Sequence, residues 1–286
     1  MKLNLKIIIP LVVIVAISWI GNVYMFNRYS IQKPIFIRTY LSYYSNEEPG
    51  FQLYYISNSY DKDTVCSVNF PEIKTEPVYV ETKAFNEISN SSYVINSVQI
   101  NFKNIFTENG RPLSEVLSDK KSINLSKIVL STISGKTYKY DLGQLCLEQY
   151  NPINDNSIVT ESGESSNQGL FRDTFKTKQN VSLTGLEGPF KELIPEIFDI
   201  SINGKKLNNT GYLGNFKGGE KIEIEAQMKE KDQLPPQYRF AYIQMRFSLK
   251  GSDSSGRPCE AENYINSQRF YYITAKDVRR MINESR

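Results

Sequence analysis

Residues 93–105, YVINSVQINFKNI, decide the fold. Their even-numbered side chains are mainly apolar, whereas the odd-numbered ones include the polar Gln99, Asn101 and Lys103. The even-numbered face consists of Val94, Asn96, Val98, Ile100 and Phe102. A period of two residues is typical of a strand with one buried face, so this stretch predicts a half-buried β-strand.

Similar runs on both sides of this strand predict a chain that is mainly β. Two turns contain glycine: Ser134-Gly135-Lys136 lies between two runs, and Asn203-Gly204 is typical of a type I′ hairpin. The other runs that predict strands are Phe51–Ser57, Thr64–Phe70, Val78–Lys83, Ile128–Ile133, Thr137–Leu142, Ile197–Ile202, Lys205–Leu207, Glu220–Met228, Tyr238–Leu249 and Arg269–Ile273.

Two short segments favour helix. Pro112–Leu117 spaces its apolar residues as one helical turn does. At the end of the chain, Thr274 is a good N-cap and Asp277 stands three residues later. We therefore predict a short C-terminal helix over residues 274–284.

A polar stretch divides the strand-rich part of the chain. Residues 151–169 contain few large apolar side chains, too few to offset the entropy lost on ordering. This stretch predicts a linker or a long exposed loop. On either side, residues 41–150 and 170–286 predict two β-sandwich-like modules of immunoglobulin-like size.

The chain opens with a hydrophobic segment. Ile7–Phe26 has no charged residue, and a helix of that length spans about 30 Å, which is the thickness of a bilayer core. We predict a transmembrane helix over residues 7–26, preceded by a cytoplasmic leader (1–6) and followed by a stalk (27–40). The alternative is a signal peptide cleaved near Ala16–Ser18.

Charge flanking the hydrophobic segment is nearly balanced. The short leader favours a signal-anchor, with the N-terminus in the cytoplasm and the bulk of the chain outside the cell membrane. No acidic residue precedes Glu47, and five basic residues do. The remainder therefore has 29 basic and 31 acidic residues, which argues against a nucleic-acid partner.

Composition restricts the chemistry. The chain has no histidine and three cysteines, which excludes Ser-His-Asp or Cys-His catalysis, histidine-ligated metals and four-cysteine zinc sites. We predict no catalytic, cofactor-binding or metal-binding residue, and no cofactor. The bias toward Ile, Lys, Asn and Tyr, with six Ala, fits AT-rich codons and a low-GC bacterium.

Two cysteines lie in strand candidates of the first module. In an oxidising compartment, Cys66 and Cys146 could form a disulfide, although two buried free thiols are the alternative. Spacing in sequence does not fix the distance between the Cα atoms, so both possibilities stay open.

Aromatic residues cluster between residues 43 and 60. A stacking surface for a glycan or peptide is one interpretation, and ordinary half-buried strand composition is the other. The cluster consists of Tyr43, Tyr44, Phe51, Tyr54, Tyr55 and Tyr60.

Together these observations predict a single-pass, membrane-anchored protein outside the cytoplasm. We expect it to be non-enzymatic and to bind or scaffold another protein of the cell envelope. The second possibility is a module that binds wall glycan or another surface ligand, which requires the aromatic cluster to be exposed. The third is a carboxylate-based hydrolase, which requires acidic residues to converge in a cleft.

Overall fold

The structure is a computed structural model that describes residues 5–46, 48–149, 157–166, 169–207 and 212–284. Within these ranges the chain is mostly β, with a long N-terminal helix and a short C-terminal one, as predicted. The α-helices are α1 (Leu5–Tyr29), α2 (Leu113–Lys120), α3 (Ile194–Ile197) and α4 (Ala275–Glu284).

The strands fall into two sets along the chain. The first set is β1 (Ile35–Phe36), β2 (Thr39–Tyr44), β3 (Gly50–Asn58), β4 (Val65–Asn69), β5 (Val78–Tyr79), β6 (Thr82–Glu87), β7 (Tyr93–Asn101), β8 (Ser122–Thr132) and β9 (Thr137–Glu148). The second set is β10 (Ile158–Ser165), β11 (Leu170–Thr177), β12 (Val181–Glu187), β13 (Phe198–Ile202), β14 (Lys205–Lys206), β15 (Gly214–Phe216), β16 (Lys221–Met228), β17 (Tyr242–Asp253) and β18 (Pro258–Ser267).

The strands form three sheets around two hydrophobic cores. A four-stranded sheet has the order β1-β3-β7-β6, and a five-stranded sheet has the order β10-β11-β16-β13-β14. A nine-stranded sheet runs β15-β12-β17-β2-β9-β8-β4-β5, with β18 paired to β17. The first core contains Leu53 and Ile95, and the second contains Phe175 and Leu249.

The two strand sets share the nine-stranded sheet. Strand β2 pairs in parallel with β9 on one side and with β17 on the other, where Ile243 lies opposite Tyr40. Some side chains lie in the core that the other half of the chain mainly forms. Tyr40 and Cys146, from the first half, lie in the second core, whereas Tyr242 and Phe270, from the second half, lie in the first core. The two halves are therefore joined by hydrogen-bonded strands as well as by chain connection. The domain boundaries given above stay a prediction.

Both predicted hairpins are confirmed. Gly135 lies in the turn between β8 and β9, and Asn203 and Gly204 join β13 to β14. The φ angles of Asn203 and Gly204 are +48° and +74°, which a type I′ turn requires and which Asn and Gly tolerate best. Local sequence is thus enough to place these turns.

Several segments differ from the sequence prediction, among them residues Phe102–Asn104, which form a 3-10 helix where the strand predicted over 93–105 ends. Within the predicted linker, residues 158–165 form strand β10, because β11 pairs with it along its whole length; residues 151–156, 167 and 168 lie outside the described residues. The predicted strand Arg269–Ile273 is wrong. Residues Arg269–Tyr272 form a 3-10 turn that buries Phe270, because the hairpin partner β18 already ends at Ser267.

Helix α4 closes the first core although it belongs to the second half of the chain. Thr274 and Asp277 form a reciprocal cap: the Asp277 carboxylate accepts from the Thr274 N–H, and the Thr274 hydroxyl accepts from the Asp277 N–H. Val278 and Ile282 lie on the buried face of the helix and pack into the first core. The predicted helix and its cap are confirmed.

Helix α1 is long and apolar enough between Ile9 and Tyr29 to cross a membrane, and a signal sequence has the same properties. None of its most apolar window is buried against the rest of the chain. The helix runs three residues beyond the predicted end at Phe26.

The predicted stalk (27–40) is packed against the β body. The Asn58 side chain holds the backbone of Ile31 on both sides: its Oδ1 accepts from the Ile31 N–H (3.0 Å) and its Nδ2 donates to the Ile31 carbonyl (2.9 Å). The Tyr93 hydroxyl donates to the Tyr29 carbonyl (2.7 Å), and Phe26 stacks on Tyr60. These contacts hold the end of α1 and the first residues after it against the β body.

Replacing Asn58 by Ala is expected to loosen the end of α1. Buried Asn58 is the hydrogen-bond partner of the Ile31 amide, so its loss leaves that amide unpaired. We expect hydrogen exchange at the Ile31 amide to accelerate about tenfold or more in the full chain in detergent micelles. The exposed Asn124→Ala is the control and should leave this rate unchanged. Equal rates in both variants would show that the helix end is held by other contacts.

Candidate ligand-binding site

One face of the β17–β18 hairpin is apolar and the other is polar. The odd-numbered residues Ile243, Met245, Phe247 and Leu249 of β17 lie in the second core. The even-numbered residues pair across the hairpin and form what we term the polar ladder. Its pairs are Gln244 with Asn266, Arg246 with Tyr264, Ser248 with Glu262, and Lys250 with Glu260.

Arg246 lies at the centre of the polar ladder and is 4% exposed. Its guanidinium forms an ion pair with Glu148 at the end of β9 and lies over the ring of Tyr44, 3.3 Å from the ring centroid. Its backbone N–H donates to the Ser42 hydroxyl (2.6 Å). These contacts connect the hairpin to two strands of the first set, so Arg246 binds the two halves of the chain together.

The carboxylates near Arg246 are held by hydrogen bonds or ion pairs. The Tyr44 hydroxyl donates to Glu262, and Lys250 lies 3.4 Å from Glu260. Burial raises the pKa of Glu262, while the hydrogen bond from Tyr44 and the charge of Arg246 oppose that rise. The arrangement fixes the positions of these charges before any ligand arrives.

A cleft of about 920 Å³ opens above the polar ladder. It exists because β2 and β12 both pair with the same edge of β17, β2 at residues 242–244 and β12 at residues 248–253. The ends of these two strands leave a gap. Residues from both halves of the chain line it, including Lys121 after α2 and Glu187 at the end of β12.

The cleft bears on the hydrolase hypothesis because it contains four glutamates: Glu148, Glu187, Glu260 and Glu262. Each has a basic or hydroxyl partner; for Glu187 it is Lys191 at 3.1 Å. Acidic residues therefore converge in a cleft, which is the arrangement that the hydrolase hypothesis requires. Within the described residues no group of three His, Cys, Asp or Glu side chains could hold a metal ion.

For most of the aromatic cluster the structure agrees with the second interpretation, ordinary strand composition, and not with a stacking surface. Tyr43, Tyr44, Phe51, Tyr54 and Tyr55 are buried. These side chains point to both faces of β2 and β3, and other elements cover both faces. Tyr54, for example, contacts Tyr242 and Phe270. Tyr60 is 48% exposed and stacks on Phe26 at the end of α1. The surface required for the glycan hypothesis is therefore absent from this cluster.

For the two cysteines the second alternative is found, since Cys66 and Cys146 are free thiols, the first half-buried and the second buried. They lie on β4 and β9, which are separated by β8. On β8, Cys146 lies opposite Asn124 and Cys66 lies beside Ser131. These two positions of β8 are seven residues apart, which is about 23 Å along the strand, so the two thiols cannot meet. Burial raises the pKa of the Cys146 thiol to about 12, so it is an inert core residue.

The charged members of the site lie far apart in the sequence. Arg246 and Glu148 are 98 residues apart in the chain, so no local pattern connects them. One signal was available: Arg246 interrupts the most strongly apolar strand run, and a central strand rarely accommodates an unpaired charge.

Comparison with known proteins gives no family. The chain matches no protein-family profile and no curated protein. Solved structures with some likeness include fibronectin(III)-like modules of Clostridium thermocellum CbhA (10% identity, 84% of this chain and 95% of that chain, TM-score 0.18). Another is the Bacteroides ovatus mixed-linkage glucan utilization locus protein SGBP-B in complex with a mixed-linkage heptasaccharide (11% identity, 80% of this chain and 43% of that chain, TM-score 0.20). A third is protocadherin gamma B7 (10% identity, 82% of this chain and 49% of that chain, TM-score 0.20). TM-scores this low carry no argument about function.

Proposed function

We propose that the protein is a single-pass, membrane-anchored binding protein of a bacterial cell envelope. Its N-terminus lies in the cytoplasm, its β body lies outside, and the cleft above the polar ladder binds another envelope protein without catalysis. The observation that carries this proposal is the preorganised cleft, which is built from both halves of the chain around buried Arg246.

The anchor supports the location. Helix α1 has the length and exposure of a membrane span, and Asn58 ties its end to the β body. The β body is therefore held close to the membrane surface, where a partner in the same membrane is easily reached. Confinement near a partner raises its effective concentration, so a modest interface suffices.

The cleft supports binding rather than catalysis. Its glutamates are partnered by Arg246, Lys250, Lys191 and Tyr44, and the chain has no histidine to move protons near neutral pH. Partnered charges that are fixed in place give specificity toward a complementary charged surface.

Photo-crosslinking in intact cells tests the cleft as the binding surface. A photoreactive amino acid is placed at Ser118 or Lys121, which are exposed residues at the cleft, and at Lys139, an exposed residue of β9 outside it. We expect the two cleft positions to give the same discrete adduct, and Lys139 to give none. Adducts of equal yield from all three positions, or none from the cleft, would contradict the proposal.

A further inference from the structure

A second cavity, of about 500 Å³, lies where strand β10 approaches the β17–β18 hairpin. Asp173 of β11 lines this cavity on the side that faces the second hydrophobic core. Strand alternation places Asp173 between Phe171 and Phe175 on the inward face, and its side chain is 1% exposed. A carboxylate at such a position has lost the water that solvated it.

Among the described residues Asp173 has no partner that replaces that water. Its buried Oδ2 has no hydrogen-bond partner among the described residues, and no ion pair involving Asp173 occurs among them. Desolvation alone raises its pKa to about 7. An unpaired buried carboxylate costs several kcal/mol, so its retention at this position calls for a compensating group.

The strand opposite makes room for this carboxylate. Gly163 of β10 pairs with Asp173, and a Cβ atom at Gly163 would lie 2.5 Å from the Asp173 Oδ1. A side chain at position 163 would displace the carboxyl group. Because Gly163 has no side chain, the space next to it is free for the Asp173 carboxyl group.

A second unpaired acceptor lines the same cavity. The buried Oδ1 of Asn266 has no hydrogen-bond partner among the described residues. Gln244, its cross-strand neighbour, uses its Oε1 to accept from the Tyr43 and Tyr242 hydroxyls. Asp173 and Asn266 thus present two oxygen acceptors without donors to one cavity.

The charged residues that line the cavity have one sign. Asp173 and Glu164 are its acidic lining residues, Tyr264 is the other titratable one, and no Lys or Arg lines it within the described part of the chain. Two acceptors and a negative lining select a cation that carries hydrogen-bond donors.

We propose that this cavity binds a ligand with a primary ammonium group and a second donor, the ammonium on Asp173 and the second donor on Asn266. An ammonium group provides a positive charge that pairs with the buried carboxylate and N–H groups that donate to it. This proposal stands apart from the function proposed above, because the cavity is distinct from the cleft around Arg246 and binding to it requires no protein partner.

Ethanolamine and ethylene glycol test the ammonium directly, since they differ by an ammonium in place of one hydroxyl. In calorimetric titration of the full chain in detergent at pH 8, we expect ethanolamine to bind with a Kd of about a millimolar. Ethylene glycol should bind at least about tenfold more weakly. Equal affinities would assign the cavity to neutral polyols, and no ethanolamine binding up to about 100 mM would overturn the proposal outright.

Matched variants tie the binding to the cavity. Asp173→Asn should weaken ethanolamine at least about tenfold, whereas Asp199→Asn, an exposed carboxylate of the same five-stranded sheet, should leave it unchanged. Asn266→Ala should weaken ethanolamine but not methylammonium, which has no second polar group. Unchanged affinity in Asp173→Asn, or tighter Asp173-dependent binding of Ca²⁺ than of ethanolamine, would overturn the proposal.

Discussion

Replacing Arg246 by Met is expected to lower the free energy of unfolding by about 3–5 kcal/mol. The substitution keeps most of the volume and removes the charge. It leaves Glu148 without its ion-pair partner at the junction of the two strand sets, and it removes the cation from the ring of Tyr44. Denaturant titration of the full chain in detergent measures the change.

Two further variants separate the charge from the packing. Lys250→Met alters the same face of β17 at its exposed end and should cost less than about 1 kcal/mol. Glu148→Gln combined with Arg246→Met removes both charges, so it should recover part of the loss. A cost for Arg246→Met no larger than that for Lys250→Met would show that Arg246 does not hold the two halves together.

Replacing Asp173 by Asn is expected to stabilise the protein at pH 8, on the order of 2–4 kcal/mol. The pKa of Asp173 is about 7 in the folded chain against 3.8 as the ordinary value. The unfolded chain therefore releases this proton at lower pH than the folded one. Stability is greatest when the group is protonated in both states, falls as the pH rises from about 4 to 7, and is constant above.

The measurement is a series of unfolding curves between pH 4 and pH 8 without added amines. We expect Asp173→Asn to flatten the decline that the parent chain shows across this window. The control Asp199→Asn alters an exposed carboxylate paired with Lys206 and should keep the parent's slope. An identical slope in the parent and in Asp173→Asn would show that the pKa of Asp173 is not raised in the folded state.

Local patterns predict those parts of the fold that depend on neighbouring residues. The strand signal in residues 93–101, the Asn203-Gly204 turn and the Thr274 cap each act within a few residues, and each is present in the structure. The strand is buried on both faces up to Val98 and not on one face alone, and residues 102–104 form a 3-10 helix. The predicted class, mainly β with one apolar helix at the start and a short helix at the end, follows from such signals.

Long-range pairing explains what the patterns could not predict. Residues 158–165 are polar, but β11 satisfies their backbone hydrogen bonds and so makes them a strand. The tyrosines of β2 and β3 resemble an exposed platform in sequence, yet distant parts of the chain cover them: Tyr54 contacts Tyr242 and Phe270, and the Tyr55 hydroxyl donates to Thr82. Asp173 was detectable in principle, because it occupies the inward position between two phenylalanines in an alternating strand.

Protease protection in intact protoplasts tests the central claim most directly, namely that an uncleaved α1 holds the β body outside the cell membrane. The full chain carries one epitope at its N-terminus and one at its C-terminus. We expect external protease to remove the C-terminal epitope and the β body, while a small membrane-bound fragment with the N-terminal epitope survives until the cells are lysed. Full protection of the β body would contradict the orientation, and a β body that begins beyond residue 18 before any protease is added would show that the segment is a cleaved signal peptide.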